Sequence, residues 1–135
     1  ETYRADRQVA TDRGMRAAST SIVFLLPAGN KSHLHRIASD EVWHFYGGGP
    51  LLIHELADGA AKITRLSQEN PQHLVPAGTW FGAQPAPGTE FSFVGCTVAP
   101  GFDFDDFELA NKRQLLAAAG WTREARDLII EMCAG

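Results

Sequence analysis

The chain has little cysteine, no long apolar run and no excess of positive charge, and each shortage removes a class of protein. Only Cys96 and Cys133 occur among 135 residues, far apart and without CxxC spacing. Neither a disulfide framework nor a zinc knuckle is available, and a reducing cytoplasm is the expected setting. The longest apolar run, Ile22 to Leu26, stops at Pro27, well short of the ~20 residues that cross a bilayer as a helix, so no membrane partner is expected. Twelve Lys and Arg stand against sixteen Asp and Glu, a net charge of −4; without a basic stripe there is no electrostatic footprint for nucleic acid. The first residue is Glu1 and no signal-peptide pattern follows it, which suggests a start inside a longer gene product or after a removed segment.

What is present is a globular composition, 44% hydrophobic and 21% charged, in a length that fits one domain. The first twenty residues, with Arg4, Arg7, Arg13 and Arg16, are polar and weakly periodic. They read as an arm, except that Glu1–Arg4 has the look of a strand end. From Ser21 onward, runs rich in β-branched and aromatic residues predict strands at Ser21–Leu26, Glu41–Tyr46, Leu51–Leu56, Lys62–Leu66 and Phe91–Val98, with briefer ones at Ser32–Arg36 and His73–Val75. Gly, Pro, Asn and Asp clusters separate them, as in Gly47-Gly48-Gly49-Pro50 and Pro85-Ala86-Pro87-Gly88. Such short connections leave no room for crossover helices, so the strands should pair antiparallel in a sandwich or small barrel. Helix is expected only at the end, over Asn111–Ala119 and again after Thr122, an N-cap for a segment carrying Leu128, Ile129 and Met132. This tail should pack on the outside of the β body.

His33 and His35 are two apart in a predicted strand, so alternation would aim both at one face, with Glu41 following after a turn. Two imidazoles and a carboxylate converging from adjacent strands make a facial metal site. His33, His35 and Glu41 are therefore candidate ligands for a divalent metal such as iron, manganese, nickel or zinc. The spacing Gly29-x3-His33-x-His35-x5-Glu41-x6-Gly48 closely resembles the first conserved motif of the cupin superfamily, with one extra residue between the second His and the Glu. The family's second element, Pro-x-Gly-x-x-His, is matched by Pro76-Ala77-Gly78-Thr79-Trp80-Phe81, which puts a phenylalanine where the last ligand belongs. A set of three donors implies weaker, more pH-dependent metal binding.

Three longer stretches, Ser39–Gly47, Val75–Ala83 and above all Val94–Phe104, are similar to an uncharacterised branch of small bacterial and fungal cupins. The resemblance implies an all-β fold, a double-stranded β-helix (the cupin jelly-roll barrel), often dimeric, with a pocket between its sheets. Residues 1–110 would form the barrel with its N-terminal arm, and residues 111–135 a short helical tail. The branch also implies that His35-Arg36, Asp40-Glu41 and His44 recur, while the first histidine varies.

If Tyr46 pairs with Leu51 across the glycine-rich loop, Trp43 faces His54 and Phe45 faces Leu52 in one hairpin. Glu41, Trp43, Phe45, Leu52 and His54 would then share the barrel interior, with His44 and Tyr46 outside. On this reading His35, Glu41 and His54 are the candidate catalytic groups, although a core role for His54 stays open. Burial would raise the carboxyl pKa, lower that of an unpaired imidazole and bring both toward neutrality, as general acid–base chemistry requires. Trp43, Phe45, Gln72 and Trp80 are candidates for substrate contact, Trp80 as a stacking surface at the pocket rim. Tyr46 or Tyr3 is considered for the aromatic hydroxyl that nucleotide-sugar epimerases of related fold set opposite their base. The Phe102–Phe107 run, with three aspartates among its phenylalanines, reads as an extended segment docking its aromatics, not as a calcium loop. Cys96 reads as a small hydrophobe in a central strand.

Three functions stay open. The first is an isomerase- or epimerase-like enzyme that moves protons on a small polar metabolite such as a sugar derivative or a keto or hydroxy acid. The second is a metal-dependent oxygenase or lyase, and the third a non-catalytic small-molecule binding module. A small-molecule ligand and a second copy of the chain are the expected partners.

Overall fold

The computed structural model describes residues 1–135. In chain order the strands are β1 (Tyr3–Arg4), β2 (Gln8–Thr11), β3 (Gly14–Ala17), β4 (Thr20–Pro27), β5 (Ser32–Arg36), β6 (Asp40–Gly48), β7 (Leu51–Ala57), β8 (Ala60–Leu66), β9 (Gln72–Val75), β10 (Trp80–Pro85), β11 (Phe91–Ala99) and β12 (Glu108–Leu109). Helices α1 (Lys112–Ala117) and α2 (Arg123–Met132) follow. One five-stranded sheet has the order β1-β4-β11-β6-β9, the other β12-β5-β10-β7-β8, and β2-β3 is a separate hairpin. Every pairing is antiparallel. The result is a double-stranded β-helix with two short C-terminal helices.

Alternation along the strands builds two cores. Leu26, Trp43, Leu51, Ile53, Leu66, Val75, Phe81, Val94 and Cys96 point between the sheets and pack into one cluster. On the outside of the second sheet, Leu34 and Leu56 meet Ala125, Leu128, Ile129 and Met132 of α2. The apolar residues of α2 recur at the spacing that gives a helix one buried stripe, and the Thr122 side chain accepts from the Ala125 amide as its N-cap. The same sheet's outer face carries Gly82 on β10, where any Cβ would fall 2.7 Å from the Ser32 carbonyl oxygen and 3.0 Å from Met132 Cε.

The structure departs from the sequence reading at four places. The first twenty residues are not an arm: Tyr3–Arg4 is a strand, as its sequence suggested, paired with β4, and β2 and β3 form a hairpin turned by Asp12-Arg13. Trp80–Pro85 is a strand although only its aromatics favour one, because it is sandwiched between β5 and β7 in the second sheet. A short strand, β12, pairs with the edge of β5. Last, β6 and β7 do not pair. Gly49 N–H donates to the Phe91 carbonyl, Ser92 Oγ donates to the Gly49 carbonyl, and Pro50 accepts from Ala86 N–H. These bonds carry the chain from the first sheet into the second at the point where a hairpin was expected, so the predicted register between Trp43 and His54 does not exist.

Candidate active site

Between the sheets lies a cavity of about 200 Å³ that opens to solvent on one side. Thr20, Ile22 and Phe24 come from β4, Glu41 and Trp43 from β6, and Cys96 and Val98 from β11. Their common direction follows from the ladder, in which Ile22, Cys96 and Trp43 are register partners and Glu41 stands opposite Val98. The second sheet supplies Ser32 and His35, with Ile37 just beyond β5, and Phe102 and Phe107 close the cavity from the segment after β11.

His35 is held by one hydrogen bond and two rings. Its Nδ1 lies 2.7 Å from the carbonyl oxygen of His33. A carbonyl only accepts, so the proton sits on Nδ1 and Nε2 keeps its lone pair. The imidazole lies against Phe81, with centroids 4.3 Å apart, and stacks on Phe107 at 5.3 Å. Burial among these rings lowers its pKa, an effect the bond to the His33 carbonyl partly offsets.

Glu41 is 7% exposed and no lysine or arginine shares the cavity lining. Burial without a countercharge raises its pKa to about 7, with the Cys96 thiol pulling slightly the other way. The thiol itself is pushed up by burial and by Glu41, so it is a neutral neighbour and not a nucleophile. Trp43, 2% exposed, meets Phe24 and Phe81 edge to face, and its indole N–H has no hydrogen-bond partner.

Of the candidate catalytic, metal and substrate residues read from sequence, His35, Glu41 and Trp43 meet in this cavity and the others lie elsewhere. His33 is exposed. Between the pairs Ala83–Ser32 and Phe81–His35, β5 holds one residue more than β10, and this bulge breaks the alternation that would have kept His33 on His35's side. Phe45 packs against the core between the sheets without lining the cavity. His54 faces away from the cavity, because Ile53 and Glu55 take the inward positions of β7; its Nε2 meets Gln84 at 3.1 Å, with Glu131 of α2 beyond. Gln72 is on the outer face of the first sheet, against His44 Nδ1. Trp80 lies on the outer face of the second, beneath the Arg36 guanidinium at 4.3 Å.

The lining residues the sequence reading missed have signals of their own. Phe102 and Phe107 flank a turn in which Asp103 caps the Asp105 amide. That turn is gripped by the β2–β3 hairpin: Arg16 forks onto both oxygens of Asp106 at 2.9 and 3.0 Å, and Arg13 adds a third bond at 2.9 Å. Opposite charges in the two polar segments were the available clue. Thr20, Ile22 and Phe24 were legible as one face of a period-2 strand.

Residues 1–110 match the family described as Cupin superfamily (DUF985). The chain belongs to the cupin superfamily. A hypothetical protein from Leishmania major is similar over 99% of this chain and 87% of its own, at 29% identity and a TM-score of 0.88. A protein from Shewanella oneidensis is similar over 98% and 84%, at 34% identity and a TM-score of 0.80. Oxalate decarboxylase from Bacillus subtilis shares the fold at 16% identity and a TM-score of 0.62, over 85% of this chain and 31% of its own. No curated protein matches.

Cupins often hold metals, but the donors of this cupin do not fit one. With His33 turned out by the bulge and Phe81 in the place of a third imidazole, only His35 and Glu41 remain in the cavity. No group of three or more His, Cys, Asp or Glu side chains is gathered anywhere in the chain. The cavity is furnished instead with one neutral imidazole, one carboxyl that is half protonated near neutrality, and aromatic walls.

Proposed function

We propose that this cupin is an acid–base enzyme that shifts a proton on a small carbonyl compound, in the manner of an isomerase or tautomerase. The observation that carries the reading is that His35 and Glu41, from different sheets, line one apolar cavity whose burial lifts the carboxyl's pKa above that of the imidazole, so that a protonated acid and a neutral base coexist near neutrality. In the reaction, His35 Nε2 takes a proton from the carbon next to the carbonyl. The C–H electron pair becomes the new C=C bond, and the carbonyl oxygen receives the Glu41 proton as its π pair moves onto it. The products of this step are an enol, an imidazolium and a carboxylate. Returning the proton to a different carbon or face regenerates both groups and yields the isomer. Phe81 and Phe107 hold the imidazole plane, and the His33 carbonyl holds its tautomer.

The test is deuterium wash-in. Enolisable ketones incubated with the protein in D2O should exchange α-protons, and His35→Gln and Glu41→Gln should each slow the exchange by roughly a hundredfold or more. Exchange no faster with wild type than with His35→Gln, across open-chain and cyclic ketones, defeats the proposal; a ligand held without exchange then favours the binding-module reading.

We also propose that the partner of the chain is its own copy, meeting across the outer face of the first sheet. Val23, Leu25, Tyr46, Leu74, Phe91 and Phe93 are exposed there, and the one formal charge among the residues pointing outward from β4, β6, β9 and β11 is Asp40, at the start of β6, whose carboxylate accepts from the Ala77 amide. The polar groups among them are already satisfied, His44 by Thr97 and Gln72. An apolar face whose polar groups are satisfied and whose single charge sits at its end suits an identical face related by a two-fold axis and offers a charged partner little to select.

A further inference from the structure

The size, charge and walls of the cavity narrow what it can hold, an inference that rests on the reading of this cavity as the reactive site. An apolar cavity of about 150 Å³ holds a benzene ring. The roughly 200 Å³ here, open to solvent on one side, therefore seats one ring with one or two small substituents, and a nucleoside would have to leave its base or its sugar outside the walls. The walls are flat: Phe24, Trp43, Phe102 and Phe107 together with the His35 imidazole present ring faces and edges, the surfaces against which another ring packs best.

Charge excludes more than size does. The ionisable lining groups are His35, Glu41 and the Cys96 thiol, and none of them supplies a fixed positive charge. Arg4, in an adjoining groove that shares Ile22 and Phe102 with the cavity, is already ion-paired with Glu1 at 2.7 Å and bonded to the Phe102 carbonyl. A carboxylate or phosphate brought into the cavity would lose its water and meet a buried carboxyl with no cation to receive it.

Polar partners are also few. Thr20 Oγ1 accepts from the Phe102 amide at 2.9 Å and keeps its own O–H to donate. Glu41, His35 Nε2, the Ser32 hydroxyl and the Thr20 O–H are what remain for a ligand, since the Trp43 N–H, though unpartnered, is buried away from open space. That set suits one carbonyl or hydroxyl group. It gives a hexose fewer partners than it has hydroxyls.

We infer that the ligand of this cavity is an uncharged monocyclic compound with a single carbonyl or hydroxyl group, a cyclic enone or a phenol by class, and not a sugar, a nucleotide or an organic acid. Such a ligand is less polar than the sugar derivatives and keto or hydroxy acids expected from the sequence. Calorimetric titration of the wild-type protein at neutral pH with phenol, cyclohex-2-enone, benzoate, glucose and uridine tests it. The two neutral rings should bind at least about tenfold more tightly than the other three. Val98→Phe, which fills the cavity, should abolish phenol binding. If that variant does not fold, Phe107→Ala, which removes one wall, should shift preference from phenol toward 2-naphthol. Equal or tighter binding of benzoate, glucose or uridine overturns the inference, as does failure of both neutral rings to bind at millimolar concentration. Neutral rings bound without deuterium wash-in sink the catalytic reading and leave this one standing. Wash-in on a keto acid but on no uncharged ketone does the reverse.

Discussion

His35 and Phe81 are register partners across β5 and β10, and their rings lie 4.3 Å apart inside the barrel. The position that would give the third imidazole in a metal-binding barrel here gives a hydrocarbon face, 1% exposed. Phe81→His should therefore cost stability, up to about 3 kcal/mol for the lost aromatic packing. In exchange it would create a His-His-Glu set. The expected outcome is a thermal midpoint that rises on adding Ni²⁺ to the variant and does not move for wild type, read by scanning calorimetry with and without chelator.

Glu41 ties stability to pH. Its carboxyl titrates at about 7 in the folded chain against an ordinary 4.5. Between those values the folded state holds a proton the unfolded chain has released, so stability is complete below about pH 4.5 and falls as pH rises through 7. The loss amounts to roughly 3 kcal/mol. Glu41→Gln should remove this slope, matching wild type near pH 5 and exceeding it near pH 8 in denaturant melts. His35 works on the other side: with its pKa lowered, the unfolded chain takes up the imidazole proton first, and stability is lost as pH drops below the usual histidine range.

The same two groups set the pH profile of proton exchange. Catalysis needs Glu41 protonated and His35 neutral, so exchange should fall above about pH 7 and again on the acid side, below the ordinary imidazole pKa. Glu41→Gln keeps a hydrogen-bond donor but no transferable proton. Its residual rate should lack the alkaline limb, which rate measurements across pH would reveal.

The Asp106 carboxyl is pulled below the usual carboxylate range by its hydrogen bonds to Arg16 and Arg13. Asp106→Asn breaks the fork with Arg16. Amide hydrogen exchange at residues 102–107 should speed up several-fold while the β11 ladder stays protected.

Leu25, 57% exposed on the outer face of the first sheet, is a clean position for testing self-association. Leu25→Lys places a charge on each copy of the proposed interface without touching the core. Light scattering should show a dimer for wild type and a monomer for the variant; a wild-type monomer at high micromolar concentration refutes the proposed interface.

Sequence made the barrel legible because its strands alternate cleanly and its turns are marked by Gly and Pro. Seven of the twelve strands were read from those two signals. What escaped was decided by long-range partners. β10 is a strand because β5 and β7 hold it on both sides, and Gly49 leaves its expected hairpin because Phe91 and Ser92 capture it. Within the site, period-2 reasoning placed Glu41 and Trp43 correctly, since β6 is regular over Glu41–Phe45. It failed at His33, where a single bulged residue reverses a side chain's face. It failed at His54, where the assumed pairing was absent. No local pattern in either segment reports such events.

The clasp between Asp106 and the β2–β3 hairpin makes the two extremities of the barrel domain mutually dependent. Residues 8–17 resemble a dispensable leader, and a chain trimmed to its first regular strand would discard both arginines. The loop bearing Phe102 and Phe107 would then be unmoored, and a ligand would meet an open dish with one side missing.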